Sequence, residues 1–233
     1  MVLIPAYNEG EGIADTVAQV RQVIPLADIV VVDDGSRDDT VRQAADAGAI
    51  VLSHPFNMGY GVTIQTGYKY ACEEGYDFLV QLDGDGQHDP LSIPALLDPV
   101  IRDETDFALG SRFLDQKSYR PSFTRRLGIL FFRRIVSILI GREISDPTSG
   151  FQAFNREVIR FFTRDIFPCD YPDADMLVTL NLAGFRIREV PVRMFANPRG
   201  TSMHSGMRPL YYMFKMCLSI VVTLLRNRDL YRR

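Results

Sequence analysis

Two aspartates separated by one residue, Asp83 and Asp85, are the side chains of this 233-residue chain best suited to chemistry. They follow the apolar run Phe78-Leu79-Val80-Gln81-Leu82, which is short enough for a buried strand. Side chains alternate along an extended backbone, so the two carboxylates point the same way. Gly84 and Gly86 let a ligand come close to the main chain, and Gln87 adds a third oxygen. Hard oxygens with room for water and phosphate suit Mg²⁺ or Mn²⁺. The bland alternative is an acidic surface turn after a strand. An EF-hand loop does not fit, because His88 stands where its glycine belongs and Pro94 where its last glutamate belongs.

The elements that must position these residues alternate. Residues 2–4 form a short strand stopped by Pro5, at the very start of a chain that shows no signal peptide. Apolar residues at helical spacing predict a helix over 13–23, ended by Pro25. The β-branched run 29–32 is a strand that enters Asp33-Asp34-Gly35-Ser36. Asp38 or Asp39 can cap a helix over 40–47. A strand over 50–52, a helix over 62–73, the strand before Asp83, a helix over 93–102 and a strand over 107–109 complete the series. This alternation implies an α/β fold with a mostly parallel central sheet and helices on both faces. Ligands of such sheets bind beyond the carboxyl ends of the strands. Three strands here end in polar loops, at Tyr7-Asn8-Glu9, Asp33-Asp34-Gly35 and Asp83-Gly84-Asp85. No Gly-Lys-Ser/Thr follows a strand, and Gly59-Tyr60-Gly61 makes a poor dinucleotide fingerprint, with Ile64 in place of its last glycine. A metal, rather than a glycine cradle, is therefore expected to hold phosphates.

The formal net charge of −3 gives a nucleic-acid partner no global support. Acidic residues dominate up to about Asp115 and basic residues afterwards. Cys72, Cys169 and Cys217 form no close pair and read as reduced core residues of a cytosolic protein, and the three histidines lack zinc spacing. Over residues 123–140, Arg125, Arg126, Arg133 and Arg134 are expected on one side of a helix. Leu127, Phe131, Phe132, Ile135, Ile138 and Leu139 are expected on the other. Such a helix suits a membrane interface, or a core with a solvated arginine face. Residues 209–225 are nearly all apolar but shorter than the roughly twenty residues of a typical span. A helix lying in the interface is preferred, with Lys215 snorkelling and Arg226, Arg228, Arg232 and Arg233 on anionic headgroups. A short span or a homo-oligomer contact are the alternatives.

Five motifs in order, Pro5-Ala6-Tyr7-Asn8-Glu9, Val32-Asp33-Asp34-Gly35-Ser36, Asp83-Gly84-Asp85-Gly86-Gln87-His88, Gly110-Ser111-Arg112 and Asp146-Pro147-Thr148-Ser149-Gly150-Phe151, resemble family 2 glycosyltransferases of GT-A fold. The branch most resembled is that of dolichol-phosphate mannose synthases and bacterial polyprenyl-phosphate sugar transferases. The resemblance covers roughly residues 1–205, divided into a nucleotide and metal half (1–112) and an acceptor half (113–205), with 206–233 as a membrane-associating helix with a basic end. It implies a nucleotide-diphospho-sugar donor of GDP-mannose or UDP-glucose type and an inverting transfer to a polyprenyl phosphate at the cytoplasmic face of a membrane. By the family pattern Pro5, Tyr7, Glu9, Asp34, Asp83 and Gly84 hold the donor, and Asp83, Asp85 and Gln87 hold the metal. Arg112, Arg125 and Arg199 meet the acceptor phosphate, to which guanidinium forks are suited. The sequence departs from the pattern in two places: Ile129 replaces a serine of some relatives, and the cluster 170–175 replaces an expected lysine. Asp173 or Asp175 could act as base toward a saccharide or lipid-linked glycan hydroxyl, or could cap the helix that follows.

Overall fold

The computed structural model describes residues 1–114, 123–168, 172–195 and 208–226, with side chains omitted at 123–127 and 208–212. Within them the chain runs β1 (Val2–Ala6), α1 (Ile13–Val23), β2 (Ile29–Asp33), α2 (Thr40–Asp46), β3 (Ile50–Ser53), α3 (Tyr60–Glu73) and β4 (Phe78–Gln81). It continues through α4 (Ile93–Ile101), β5 (Phe107–Ser111), α5 (Phe123–Ile140), β6 (Gln152–Asn155), α6 (Arg156–Phe162), α7 (Ala174–Leu182), β7 (Ile187–Pro191) and α8 (Arg208–Leu225). The described strands form a single sheet in the order β3-β2-β1-β4-β6-β5-β7. Every neighbouring pair is parallel except those made by β6, which runs antiparallel to both β4 and β5. The expected mostly parallel sheet is thus present, with one reversed strand.

Alternating side chains divide the interior into two layers. Leu3, Val30, Val32, Leu79, Phe107 and Phe154 face α3, α5, α6 and α7. Val2, Ile4, Val31, Val80, Ala108 and Ala153 face α1 and α4. The first layer is built around Tyr68, which packs edge-on to Phe154 and Phe167 and stacks on Phe162. Helix α3 lies so close to β1 that a Cβ at Gly67 would fall 2.3 Å from Leu3 Cδ1.

Helix α5 corrects the expected two-sided split. Ile129, Phe132 and Val136 form its buried stripe, whereas Phe131 and Ile138 are exposed beside Leu130. Apolar residues therefore occupy both the inward and an outward face, and Arg133 is turned to Glu143. Helix α8 has the same double character. Met216, Ile220 and Thr223 are buried, while Phe214, Leu218, Val221, Val222 and Leu225 form an exposed stripe at helical spacing. Among the described residues no helix is long and apolar enough to cross a membrane.

Helix α8 packs on α7, and a buried carboxylate sits at that contact. Asp175 has no exposed surface. Its Oδ1 accepts from the Met176 N–H at 2.8 Å and the Asp173 N–H at 3.2 Å, and Ser219 of α8 donates to its other oxygen. This placement removes Asp175 from any acceptor and overturns its assignment as a base. The carboxylate ties the start of α7 to the last helix. Burial pushes the Asp175 pKa up to about 7, against the hydrogen bond from Ser219. A carboxyl that binds its proton more tightly when folded favours the folded state at low pH, and that contribution is lost as pH rises through about 7. Asn at 175 keeps acceptor and donor atoms in the same places without the charge. Thermal melts of the wild type and Asp175→Asn from pH 5 to pH 8 should therefore diverge, the wild type losing stability relative to the variant as pH rises. Parallel curves would contradict the assignment.

Candidate active site

Parallel pairing puts the carboxyl ends of β2, β1 and β4 along one edge of the sheet. The loops that leave β1 and β2 are tied to one another by specific hydrogen bonds. The loop after β1 is held from the loop after β2. Asn8 N–H donates to Ser36 Oγ and Glu9 N–H to Thr40 Oγ1, both at 2.8 Å, and Gly10 N–H donates to Asp38 Oδ2 at 3.0 Å. Asn8 returns the contact by accepting from Arg37 N–H at 2.9 Å. Asp38, not Asp39, accepts from the Thr40 N–H at the start of α2. This leaves the Tyr7 ring 44 % exposed at the edge.

Asp34 performs the same task toward the next loop. It is buried and accepts from Met58 N–H at 2.8 Å and Gly59 N–H at 2.9 Å, with His54 Nδ1 at 2.9 Å. Its visible role is to fold residues 54–59 against the same edge of the sheet. Gly35 makes this possible. Its φ is +70°, and a Cβ there would lie 2.6 Å from the Phe56 carbonyl carbon. Gly84 lies against β1, where a Cβ would stand 3.2 Å from the Pro5 carbonyl oxygen. The residues expected at the donor, Pro5, Tyr7, Glu9, Asp34, Asp83 and Gly84, thus fall at or just beyond the carboxyl ends of β1, β2 and β4.

The loop after β4 is shaped by its own side chains. Asp85 Oδ1 accepts from Gln87 N–H at 3.0 Å, and Asp89 accepts from Leu91 N–H at the start of the next helical turn. Asp83 N–H donates to His88 Nδ1 at 3.0 Å, and the imidazole stacks on Phe151 with ring centres 4.9 Å apart. Nδ1 accepts that bond, so the neutral ring carries its proton on Nε2, which lies 3.9 Å from Asp83 Oδ2. Burial pushes the His88 pKa down to about 4. From below, Gln87 C=O accepts from Phe195 N–H at 2.7 Å, which joins the loop to the segment after β7.

The donor set suits a hard divalent cation. It consists of two carboxylates and an amide oxygen on a turn, beside a neutral imidazole. Among the described residues no three His, Cys, Asp or Glu side chains cluster as a metal centre. The proposed third ligand, Gln87, is of a different type.

Arg112 is buried, and its Nε and Nη2 each donate to Asp146 at 2.6 Å, with the Arg112 backbone N–H on the same carboxylate at 3.1 Å. Asp146 is held in turn: its N–H, with the Ser145 N–H and hydroxyl, donates to Glu189 of β7. The arginine expected at the acceptor phosphate is therefore committed largely to anchoring the 145–150 loop, and its charge also reaches Asp83. Arg199 lies outside the described residues. Arg125 is on α5, its side chain outside them. Asp173 stands before α7 without capping it, and its charge is felt by the Tyr60 phenol.

Sequence reasoning missed Glu189, Tyr60 and Gln81. Glu189 follows Arg188 in β7, a charged pair that reads as a solvated edge, and its partners Ser145 and Asp146 come from a distant loop. The amide of Gln81 inside an apolar strand was a readable signal of a buried polar partner.

Comparison with known proteins bears on this geometry. The model of Glycosyl transferase family 2 matches residues 1–162. An undecaprenyl-phosphate mannosyltransferase of Micrococcus luteus is 32% identical over 88% of this chain and 87% of its own. A polyprenol monophosphomannose synthase of Mycolicibacterium smegmatis is 33% identical over 93% and 84%. A UDP-N-acetylglucosamine–dolichyl-phosphate N-acetylglucosaminyltransferase of Methanococcus voltae is 28% identical over 95% and 97%. Among solved structures, glucosyl-3-phosphoglycerate synthase of Mycobacterium tuberculosis, in complex with Mn²⁺, UDP and glucosyl-3-phosphoglycerate, superposes with a TM-score of 0.70 at 21% identity, over 96% of this chain and 77% of that one. That likeness concerns the fold, which is the expected GT-A arrangement. With the interlocked loops at the sheet edge, the family match and the relatives above 30% identity, the chain belongs to glycosyl transferase family 2.

Proposed function

We propose that this protein is a divalent-metal-dependent, inverting glycosyltransferase that moves a hexose from a nucleotide-diphospho-sugar to a polyprenyl phosphate at the cytoplasmic face of a membrane. The observation that carries the reading is the loop after β4, which offers Asp83, Asp85 and Gln87 at the edge where the β1 and β2 loops meet. The names of the relatives support a polyprenyl-phosphate acceptor, and neighbours crystallised with Mn²⁺ or Mg²⁺ support the metal.

Asp83, Asp85 and Gln87 would hold the cation. When bound, it neutralises charge on the departing nucleoside diphosphate. The remaining work is positioning. Tyr7 offers an exposed ring beside the donor edge, and Asp34 keeps the 54–59 loop in place. The Arg112–Asp146 pair fixes the loop that ends at Gly150, directly against Asp83. A phosphate acceptor is already anionic at neutral pH, so alignment rather than a strong base is required. Arg125 and Arg199 are the acceptor-phosphate residues in this reading. A hydroxyl acceptor is the second reading. In that reading Asp173, at the start of α7, is the candidate base, and the buried Asp175 is not.

The exposed stripe of α8 and the outward apolar side chains of α5 would rest on the bilayer surface. Removing α8 would also take the buried Met216 and Ile220 out of the core and uncover Asp175, so truncation mixes binding with folding. Phe214→Ser, Leu218→Ser and Val222→Ser combined alter only the outer stripe. The triple variant should keep the wild-type circular dichroism and lose flotation with anionic vesicles. Equal flotation would count against the interfacial helix.

Activity is tested by mixing the protein with Mg²⁺ or Mn²⁺, a polyprenyl phosphate and labelled GDP-mannose or UDP-glucose, then extracting lipid. Label should enter the organic phase, and a chelator or Asp85→Ala should abolish it. Donor cleavage without labelled lipid would favour the hydroxyl acceptor.

A further inference from the structure

The Asp83 carboxylate is held from behind by side chains that are not part of any ligand set. Tyr60, the first residue of α3, donates from its phenol to Asp83 Oδ1 at 3.2 Å. The same phenol accepts from Gln81 Nε2 at 3.1 Å. Gln81 is buried in β4, and its Oε1 accepts from the fully buried Tyr68 hydroxyl. Tyr68 is clamped among Phe154, Phe162 and Phe167. A directed chain thus runs from the aromatic core, through Tyr68, Gln81 and Tyr60, to one oxygen of Asp83. The other wall is Gly150, where a Cβ would lie 3.0 Å from Asp83 Oδ2, 3.1 Å from Oδ1 and 3.2 Å from the Tyr60 oxygen. Gly150 C=O also accepts from Gln81 Nε2 at 3.3 Å.

We propose that Tyr60 is a positioning residue for the metal site: its phenol, oriented by Gln81 and Tyr68, holds the Asp83 carboxylate in the single rotamer that receives the cation. This rests on the metal reading given above. A carboxylate free to rotate must be ordered when the cation binds, and partners behind a ligand commonly raise metal affinity about 10- to 100-fold. The alternative is that the hydroxyl is merely a buried polar group satisfied by a convenient acceptor. The two differ in metal affinity, because Tyr60→Phe keeps the ring in place and Gln81 keeps its bond to Gly150.

The test is a titration of the full chain with Mn²⁺, in the presence of GDP or UDP, read from the electron paramagnetic resonance of free Mn²⁺. Melting temperature is measured alongside. Tyr60→Phe should fold as the wild type does and bind Mn²⁺ about 10- to 100-fold more weakly, while Asp83→Asn loses binding. Wild-type affinity in folded Tyr60→Phe would overturn the inference and leave the metal reading intact. Failure of the wild type itself to bind Mn²⁺ would overturn the metal reading on which the inference rests. Should Tyr60→Phe not fold, Gln81→Leu carries the same test, because it removes the amide that orients the phenol and leaves Tyr60 and Asp83 themselves unchanged. It should weaken Mn²⁺ binding, and wild-type affinity would overturn the inference.

Discussion

Parallel strands deliver their carboxyl ends to the same side of a sheet, and here three of them deliver acids. Asp33, Asp34, Asp83 and Asp85 would repel one another at that edge without compensation. The compensation is mostly backbone. Asp34 takes two N–H groups from the 58–59 turn, Asp33 accepts from Ser36 N–H, and Asp85 accepts from Gln87 N–H. Each bond that stabilises a carboxylate also fixes the path of a loop. Electrostatic need and loop geometry are therefore met by the same contacts.

The second half of the chain completes this edge from behind. Strand β6 enters antiparallel between β4 and β5, which brings Gly150 and Phe151 against Asp83 and His88. Arg112 and Asp146 make a buried, bidentate pair whose geometry offsets its desolvation, and Glu189 binds the backbone of the same loop. On the far side, the Ser219–Asp175 contact fastens α8 to the start of α7, two residues from Asp173. The outer stripe of α8 is thus mechanically connected to the start of α7.

Much of this was legible in sequence wherever a local pattern carried it. Strands β1, β2 and β4 announced themselves as β-branched or apolar runs ending in acids, and the carboxylate motifs lay beside them. Strand β6 did not, because Gln152-Ala153-Phe154-Asn155 has no β-branched residue and owes its conformation to two neighbours far away in sequence. Residues of α5 defeated a two-sided reading because apolar side chains serve both the core and the surface. Asp175 resembled a helix cap or a base, since nothing local reveals that a hydroxyl 44 residues later covers it. Tyr60 lay inside a glycine pair that drew attention to the backbone instead of the phenol. Long-range polar partnerships were the common blind spot, because they have no period to detect.

The central claim is that Asp83 and Asp85 form one cation site at which a nucleoside diphosphate is held. A crystal grown with Mn²⁺ and GDP or UDP, with data collected at a wavelength where manganese scatters anomalously, tests it most directly. The account predicts one strong anomalous peak between the Asp83 and Asp85 carboxylates, with diphosphate oxygens beside it and the nucleoside lying along Tyr7 and the 54–59 loop. Nucleotide bound at that edge with no anomalous peak, or a peak away from both carboxylates, would contradict it.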